Sequence, residues 1–494
     1  MDRQIRRAGL ATVALFLILF GQLSYLQVFA ADRIADNPAN AKRQLIAEYR
    51  VDRGEILAAD RRTVLALSRR SRGELVYQRR YPQGPRYAGI TGFYSIVYGR
   101  TELEAAYDDY LSGDAPELLP STLGDLILGR PKRGASIVTT IQPDVQEAAE
   151  AALGDLPGGV AAIDPRTGDV LALVSNPTYD PNALASQDPR EVRRAWEELN
   201  DDPERPMRSR ATDELYPPGS TFKIVTAAAA LAAGFGSESR WPNPPELDLP
   251  LTTNTLQNFG GEHCLGGASS ITLAQALQVS CNVTFGEIAL RLGAEALARQ
   301  ARAFGFAPEP GAGEVPFDIP FEEGVFPDPS AFEGNDPLVA FAGIGQFDVA
   351  ANPLQMALAA AAIGNGGTMM RPRLVTEIRD PQGRVIRTFE PEPWRRSLSG
   401  EAAAALTRMM VGVVEAGTGT AARIPGVAVA GKTGTAQHGE GEPPHAWFVA
   451  FAPAEDPRVA VAVVVLNGGS LGDEATGGRL AAPIARAVIQ AALG

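Results

Sequence analysis

From Ala8 to Ala31 no charged residue interrupts the chain and apolar side chains dominate, with Arg3, Arg6 and Arg7 before the run and Asp32 after it. As a helix this run spans roughly 36 Å against a hydrocarbon core of about 30 Å, which predicts a transmembrane anchor. Arginines on its N-terminal side put residues 1–7 in the cytoplasm and everything downstream outside. A cleaved signal peptide, with VFA-A as the processing site, is the alternative; the length of the run favours a retained anchor. No second run of this kind follows.

Beyond the anchor, residues 32–140 mix short polar helices and strands with arginines and turn signals. YRVDRGEILAADRRTVLALS predicts strand, turn and strand, and the Gly-rich segment after Tyr87 leads into an amphipathic helix starting near Thr101. The texture changes near Ile141. QPDVQEAAEAALGDL has helical periodicity, and GGVAAIDPRTGDVLALVSNP reads as two apolar strands joined by the turn Asp164–Gly168. Helices are predicted near 189–200, 220–233, 272–293 and 352–364, and a Pro-, Gly- and acid-rich stretch, 308–337, predicts a long surface loop. VAVAGKTGTAQ, HAWFVAFAP and RVAVAVVVLNGG predict three consecutive strands, and GRLAAPIARAVIQAAL a closing helix. Strands at both ends of this region with helices between them predict one mixed α/β unit, an antiparallel sheet flanked by helices.

Composition narrows the chemistry. The net charge of −13, with no basic cluster beyond the first residues, argues against a nucleic-acid partner. Three histidines and two cysteines lack metal-ligand spacing, and neither GxGxxG nor a Walker loop is present, so no metal or cofactor is expected. Of 45 basic residues only four are lysines: Lys42, Lys132, Lys223 and Lys432. Arginine supplies charge equally well but keeps its proton, whereas a desolvated lysine can give its own up.

Two of those lysines fall in candidate motifs. Ser220 and Lys223, in YPPGSTFKIV, stand three residues apart on one helix face, behind a Pro-Pro-Gly break that leaves Ser220 at the helix N-terminus. A serine hydroxyl becomes a useful nucleophile when a neighbouring base takes its proton, and Lys223 stands where that base belongs. Taken alone the pair is weak, because an N-cap serine and a solvated lysine produce the same spelling. Ser280-Cys281-Asn282 is commonplace by itself. Lys432-Thr433-Gly434-Thr435 is rarer, and falls in a predicted strand where glycine admits close approach of a ligand or another backbone.

The order SxxK, SxN, KTG resembles the penicillin-recognising serine acyltransferases, the penicillin-binding proteins and class A β-lactamases. The resemblance covers residues 141–494, and RGEIL with LEAAYDDYLSG extends it to the N-terminal segment as the pedestal of class B penicillin-binding proteins. Glu102 departs from the pattern, which usually has glycine before the Leu103-Glu104 pair. The resemblance implies a cytoplasmic tail (1–7), an anchor (8–31), a pedestal or dimerisation-type domain (32–140) and a transpeptidase domain (141–494). It implies that Ser220 attacks the penultimate D-Ala carbonyl of a peptidoglycan stem peptide and that Lys223, its pKa lowered by burial and by Lys432, is the base. Ser280 and Asn282 would relay a proton to the leaving amine and hold the substrate amide. Lys432, Thr433 and Thr435 would hold the terminal carboxylate, Gly434 lying between them, and the Ser220 and Thr435 N–H groups would form the oxyanion hole.

Cys264 and Cys281 are the only cysteines and both lie on the exported side, so a disulfide is expected; two buried thiols are the alternative. The expected function is a membrane-anchored D,D-transpeptidase that β-lactams acylate. Its rivals are a carboxypeptidase or β-lactamase, in which water takes the acyl group, and a non-catalytic scaffold. Residues 32–140 are too few for a glycan-polymerising domain. The resemblance therefore implies a multi-pass glycosyltransferase of the RodA/FtsW kind as partner. His445 and Trp447 follow the KTG strand, and line the cleft or pack inside a hairpin.

Overall fold

The computed structural model describes residues 2–29, 38–119, 131–258, 261, 263–309, 311–439 and 441–494. Helix α1, Asp2–Ser24, is solvent-exposed from Arg3 to Leu23 and runs on as a π-helical turn, Tyr25–Phe29. Its segment Arg3–Ser24 is the one helix among the described residues long and apolar enough to cross a membrane. Positions 30 and 31, the expected end of that span, lie outside the described residues.

Helix α2, Pro38–Glu48, leads into the short strands β1 (Ile56–Leu57), β2 (Val64–Arg70) and β3 (Tyr77–Arg80), then helix α3 (Glu102–Ala106) and strand β4 (Ser136–Thr139). The two motifs that suggested a pedestal meet in its interior. Arg53 Nε donates to Glu104 Oε2 at 2.7 Å, Arg79 Nε to Glu104 Oε1 at 2.6 Å, and the Tyr81 hydroxyl to the same oxygen at 3.2 Å. Glu104 is fully buried, and the two guanidiniums hold its carboxyl below the usual range against the pull of burial.

The next stretch carries helix α4 (Pro143–Leu153), the hairpin β5 (Gly158–Ile163) and β6 (Val170–Asn176), and helix α5 (Lys223–Ala232). Helices α6 (Leu273–Gln278), α7 (Asn282–Leu292) and α8 (Pro353–Gly364) follow, then strands β7 (Val375–Arg379) and β8 (Val385–Thr388) and helix α9 (Gly400–Ala416). Strands β9 (Ala430–Ala436), β10 (His445–Ala452) and β11 (Val459–Val465) and helix α10 (Ala481–Leu493) complete the order.

Two sheets organise these elements. One is antiparallel throughout, in the order β9-β10-β11-β5-β6, so the N-terminal hairpin and the three C-terminal strands do form one sheet. Helices α4 and α10 cover one face and α8 the other. With both faces covered, every residue of β10 and β11 is buried, which is why these strands spell near-continuous apolar runs rather than an alternation. Helix α8 is apolar all round for the same reason: Pro353 to Ile363 are all buried. The other sheet, β8-β7-β4-β1-β2-β3, draws its last two strands in sequence, β7 and β8, from the C-terminal half of the chain. Ile137 of β4 lies between Ile56 (parallel) and Ile378 of β7 (antiparallel).

Two expectations change and one open choice is decided. The helix expected over 272–293 is two helices, α6 and α7, broken at Ser280, whose φ of +61° is left-handed. The stretch 308–337 is not purely a surface loop, because Val315, Ile319, Phe326 and Phe332 are buried and Val325 bridges to Ala307 and Ala350. His445 and Trp447 pack inside the sheet, 5 % and 0 % exposed, and do not line the cleft.

Candidate active site

Pro217, Pro218 and Gly219 do break the chain before Ser220, but Ser220 stands in a 3₁₀ turn, Gly219–Phe222, one step ahead of α5. Gly219 has a φ of +52° and its N–H donates to Gly345 O at 2.9 Å. A Cβ there would come within 2.9 Å of Thr435 O, so only glycine lets the turn lie this close to β9. Gly434 is crowded from the other side, its missing Cβ facing Pro218 O at 2.9 Å. Helix α5 is buried from Lys223 to Ala230, its alanines letting neighbouring elements close around it.

Lys223 and Lys432 are fully buried, and the structure brings both to Ser280. Lys223 Nζ is 3.0 Å from Ser220 Oγ, 2.6 Å from Asn282 Oδ1, 2.7 Å from Ser280 O and 3.4 Å from Ser280 Oγ. Lys432 Nζ donates to Ser280 Oγ and to Thr433 O, each at 2.8 Å. Ser280 therefore bridges the two amines, and its left-handed backbone, which splits α6 from α7, turns both its hydroxyl and its carbonyl inward. Burial, and then the neighbouring Lys432 charge, push the Lys223 pKa well below that of a free lysine. Burial alone brings Lys432 down to about 7.

The three acceptors around Lys223 suit an ammonium that donates to all of them and equally a neutral amine that donates to two. The Asn282 amide is oriented by its Nδ2 donating to Gln257 O at 3.1 Å, which leaves Oδ1 facing the lysine. Asn282 Oδ1 and Ser280 O can only accept, and they take the two N–H bonds of an amine. The remaining lone pair then faces the Ser220 hydroxyl. In the neutral form such an arrangement can accept a serine proton.

Cys264 and Cys281 are disulfide-bonded, with their Cα atoms 5.9 Å apart, so the middle residue of the SxN motif is tied to the loop facing it. Asn258 on that loop, which sequence reasoning missed, accepts the N–H groups of Asn282 at 2.9 Å and Val283 at 3.2 Å and thereby caps α7. Thr418, also missed, shares a hydrogen bond of 2.6 Å with the Thr433 hydroxyl. Neither sits in a pattern that signals its role; each is placed by the fold. A cleft of about 1430 Å³ opens over Ser220, Ser280, Asn282, Thr433 and Thr435, with the two lysines behind its wall.

With the geometry in place, the comparisons fit it. Residues 158–490 match the family described as penicillin binding protein transpeptidase domain, and residues 53–137 the penicillin binding protein A dimerisation domain. The peptidoglycan D,D-transpeptidase PbpA of Mycolicibacterium smegmatis is 44% identical over 502 residues, covering 100% of this chain and 99% of that protein. Its Mycobacterium tuberculosis counterpart is 43% identical with the same coverage. The crystal structure of penicillin-binding protein A from M. tuberculosis as a ceftriaxone acyl-enzyme superposes with a TM-score of 0.85, at 43% identity over 91% of this chain and 100% of that one. This chain belongs to the penicillin-binding protein transpeptidases, as a class B member similar over its whole length to mycobacterial PbpA.

Proposed function

We propose that this protein is a peptidoglycan D,D-transpeptidase that works through a Ser220 acyl-enzyme, and that β-lactams trap it by acylating the same serine. The observation that carries the reading is the Lys223 amine, 3.0 Å from Ser220 Oγ with its two other acceptors already supplied by Asn282 and Ser280. Lys223 takes the hydroxyl proton as Ser220 Oγ bonds to the penultimate D-Ala carbonyl carbon. The bond to the terminal D-Ala nitrogen then breaks, and the Ser280 hydroxyl, held between the two lysines, passes its proton to that leaving amine while taking the proton held by Lys223. An amine from a neighbouring stem peptide attacks the ester, forms the cross-link and returns the proton to Ser220.

Lys432 with the Thr433 and Thr435 hydroxyls receives the donor's terminal carboxylate, an assignment supported by the two threonines lining the cleft, with the buried Lys432 just before them in sequence and behind the wall. The N–H groups of Ser220 and Thr435 hold the oxyanion, each donor worth about 2.7–4 kcal/mol in such sites. No cofactor enters these steps. Helix α1 anchors the chain with residues 1–7 in the cytoplasm and the catalytic domain outside, the orientation favoured by its leading arginines. Residues 32–140 carry the pedestal and 141–494 the transpeptidase, and the anchor and pedestal associate with a multi-pass glycosyltransferase of the RodA/FtsW kind. Exchanging residues 1–110 for an unrelated anchor abolishes that association; co-purification that survives the exchange refutes the partner.

Detergent-solubilised protein incubated with a fluorescent penicillin tests the chemistry. A long-lived adduct that requires Ser220 and forms slowly in Lys223→Ala is the expected result. Rapid release of the label points instead to a carboxypeptidase or β-lactamase, and a folded protein that takes no label to a scaffold.

A further inference from the structure

Glu102 is where the sequence departs from its family's usual glycine, and its backbone keeps the conformation that glycine would favour, with a φ of +43°. A left-handed glutamate is strained, and such strain persists only where its surroundings hold it. Its side chain turns into the seam between the pedestal and the catalytic half. There its Oε2 is shut off from solvent and has no hydrogen-bond partner among the described residues. Gly92, at φ +66°, makes the room: a Cβ on it would stand 2.3 Å from that oxygen.

The carboxylate faces a cavity of about 20 Å³, lined also by Tyr179, Ser175, Thr178, Ser209 and Asp213. That is room for one water-sized particle. Asp213 belongs to the loop that leads into Ser220. Its Oδ1 accepts from the Thr212 hydroxyl at 2.7 Å and its Oδ2 from the Ser209 N–H at 3.0 Å. Arg208 donates to the Asp213 main-chain carbonyl at 2.9 Å. Glu102 and Asp213 thus border one small space.

We propose that this cavity binds a hard divalent cation, calcium or magnesium, which clamps the pedestal residue Glu102 to Asp213 and so to the loop carrying the nucleophile. The charged and hydroxyl donors around the space are all oxygen, two carboxylates and the hydroxyls of Ser175, Thr178, Ser209 and Tyr179, with the Met207 side chain also in the lining. The oxygen set suits a hard cation. Two carboxylates balance a charge of two, which a buried water cannot do.

Thermal unfolding of the full chain in detergent, stripped with a chelator and titrated with CaCl₂ or MgCl₂ at constant ionic strength, tests the site. One of the two salts produces a saturable rise in the unfolding midpoint, as a ligand of the folded state must. Glu102→Gly, which suits the left-handed backbone, and Asp213→Asn both lose that rise, while Glu102→Gly still acylates with a fluorescent penicillin. As a second readout on unsubstituted protein, Tb³⁺ gives tyrosine-sensitised emission that the effective salt displaces, and Tyr179→Phe removes it. A midpoint indifferent to both salts, or a rise that survives in both carboxylate variants, overturns the proposal. So does terbium emission that neither salt displaces.

Discussion

In the proposed mechanism Lys223 has to be an amine, not an ammonium, before Ser220 can lose its proton to it, and Lys432 has to be an ammonium to attract a carboxylate. Their depressed pKa values set opposite demands on pH. Below the lowered pKa of Lys223 the base is protonated and acylation falls; above about 7, free Lys432 loses its proton and carboxylate capture weakens. Acylation by a penicillin is therefore expected to be bell-shaped in pH, with its alkaline limb near neutrality. Lys432→Arg, which keeps its charge, should flatten that limb at a lower plateau; an unchanged limb would assign it to another group. The sign for stability is separate. A lysine whose folded pKa is lowered binds fewer protons folded than unfolded, so the Lys432 contribution to stability rises with pH between about 7 and the ordinary value of 10.5. Lys223→Ala should slow acylation by about 10²–10⁴-fold, the usual reach of a general base, in single-turnover labelling. The scarcity of lysine made both residues legible in the sequence. The bridging role of Ser280 was not, because nothing in Val279-Ser280-Cys281 announces a left-handed serine.

At the scale of elements, the break between α6 and α7 separates what a pattern can tell from what it cannot. Apolar periodicity runs straight through 272–293, so one helix was the natural reading. The interruption is enforced from outside, by the disulfide to Cys264 and by Asn258 capping α7. Asn258→Ala should cost about 1 kcal/mol, the usual worth of a cap. Because α7 begins at Asn282, the change should also slow acylation, whereas a cap on a remote helix would lower the melting point alone. In the pedestal the buried triad of Arg53, Glu104 and Arg79 makes a sharper case. Removing the shared carboxylate leaves two buried guanidiniums uncompensated, so Glu104→Ala is expected to destabilise by about 3–5 kcal/mol, read as a lowered thermal midpoint. The motifs that hold Arg53 and Glu104 were visible in the sequence, but that they meet was not: they stand 51 positions apart, and the residues between them carry no periodicity that would pair them.

At the scale of the molecule, the sequence suggests a seam near residue 140 that the sheets do not respect. Strand β4 ends at Thr139, yet it pairs on one side with β1 of the pedestal and on the other with β7, more than two hundred residues later. Local patterning announces short strands but not partners so far apart, and an antiparallel ladder contributed by the catalytic half closes the pedestal sheet. Cutting the chain at 140 would unpair β7 and leave Ile378, fully buried in the intact protein, on an open edge. The fragment 141–494 is therefore expected to aggregate or to melt well below 38–494, even though it keeps all three motifs and the whole of the five-stranded sheet. The longer fragment, which retains both ladders of β4, should stay monodisperse and acylate at the full rate. The comparison is made by size-exclusion chromatography and thermal unfolding of the two fragments side by side. Equal midpoints would mean that the β4–β7 pairing contributes nothing and that the transpeptidase half folds as an independent unit.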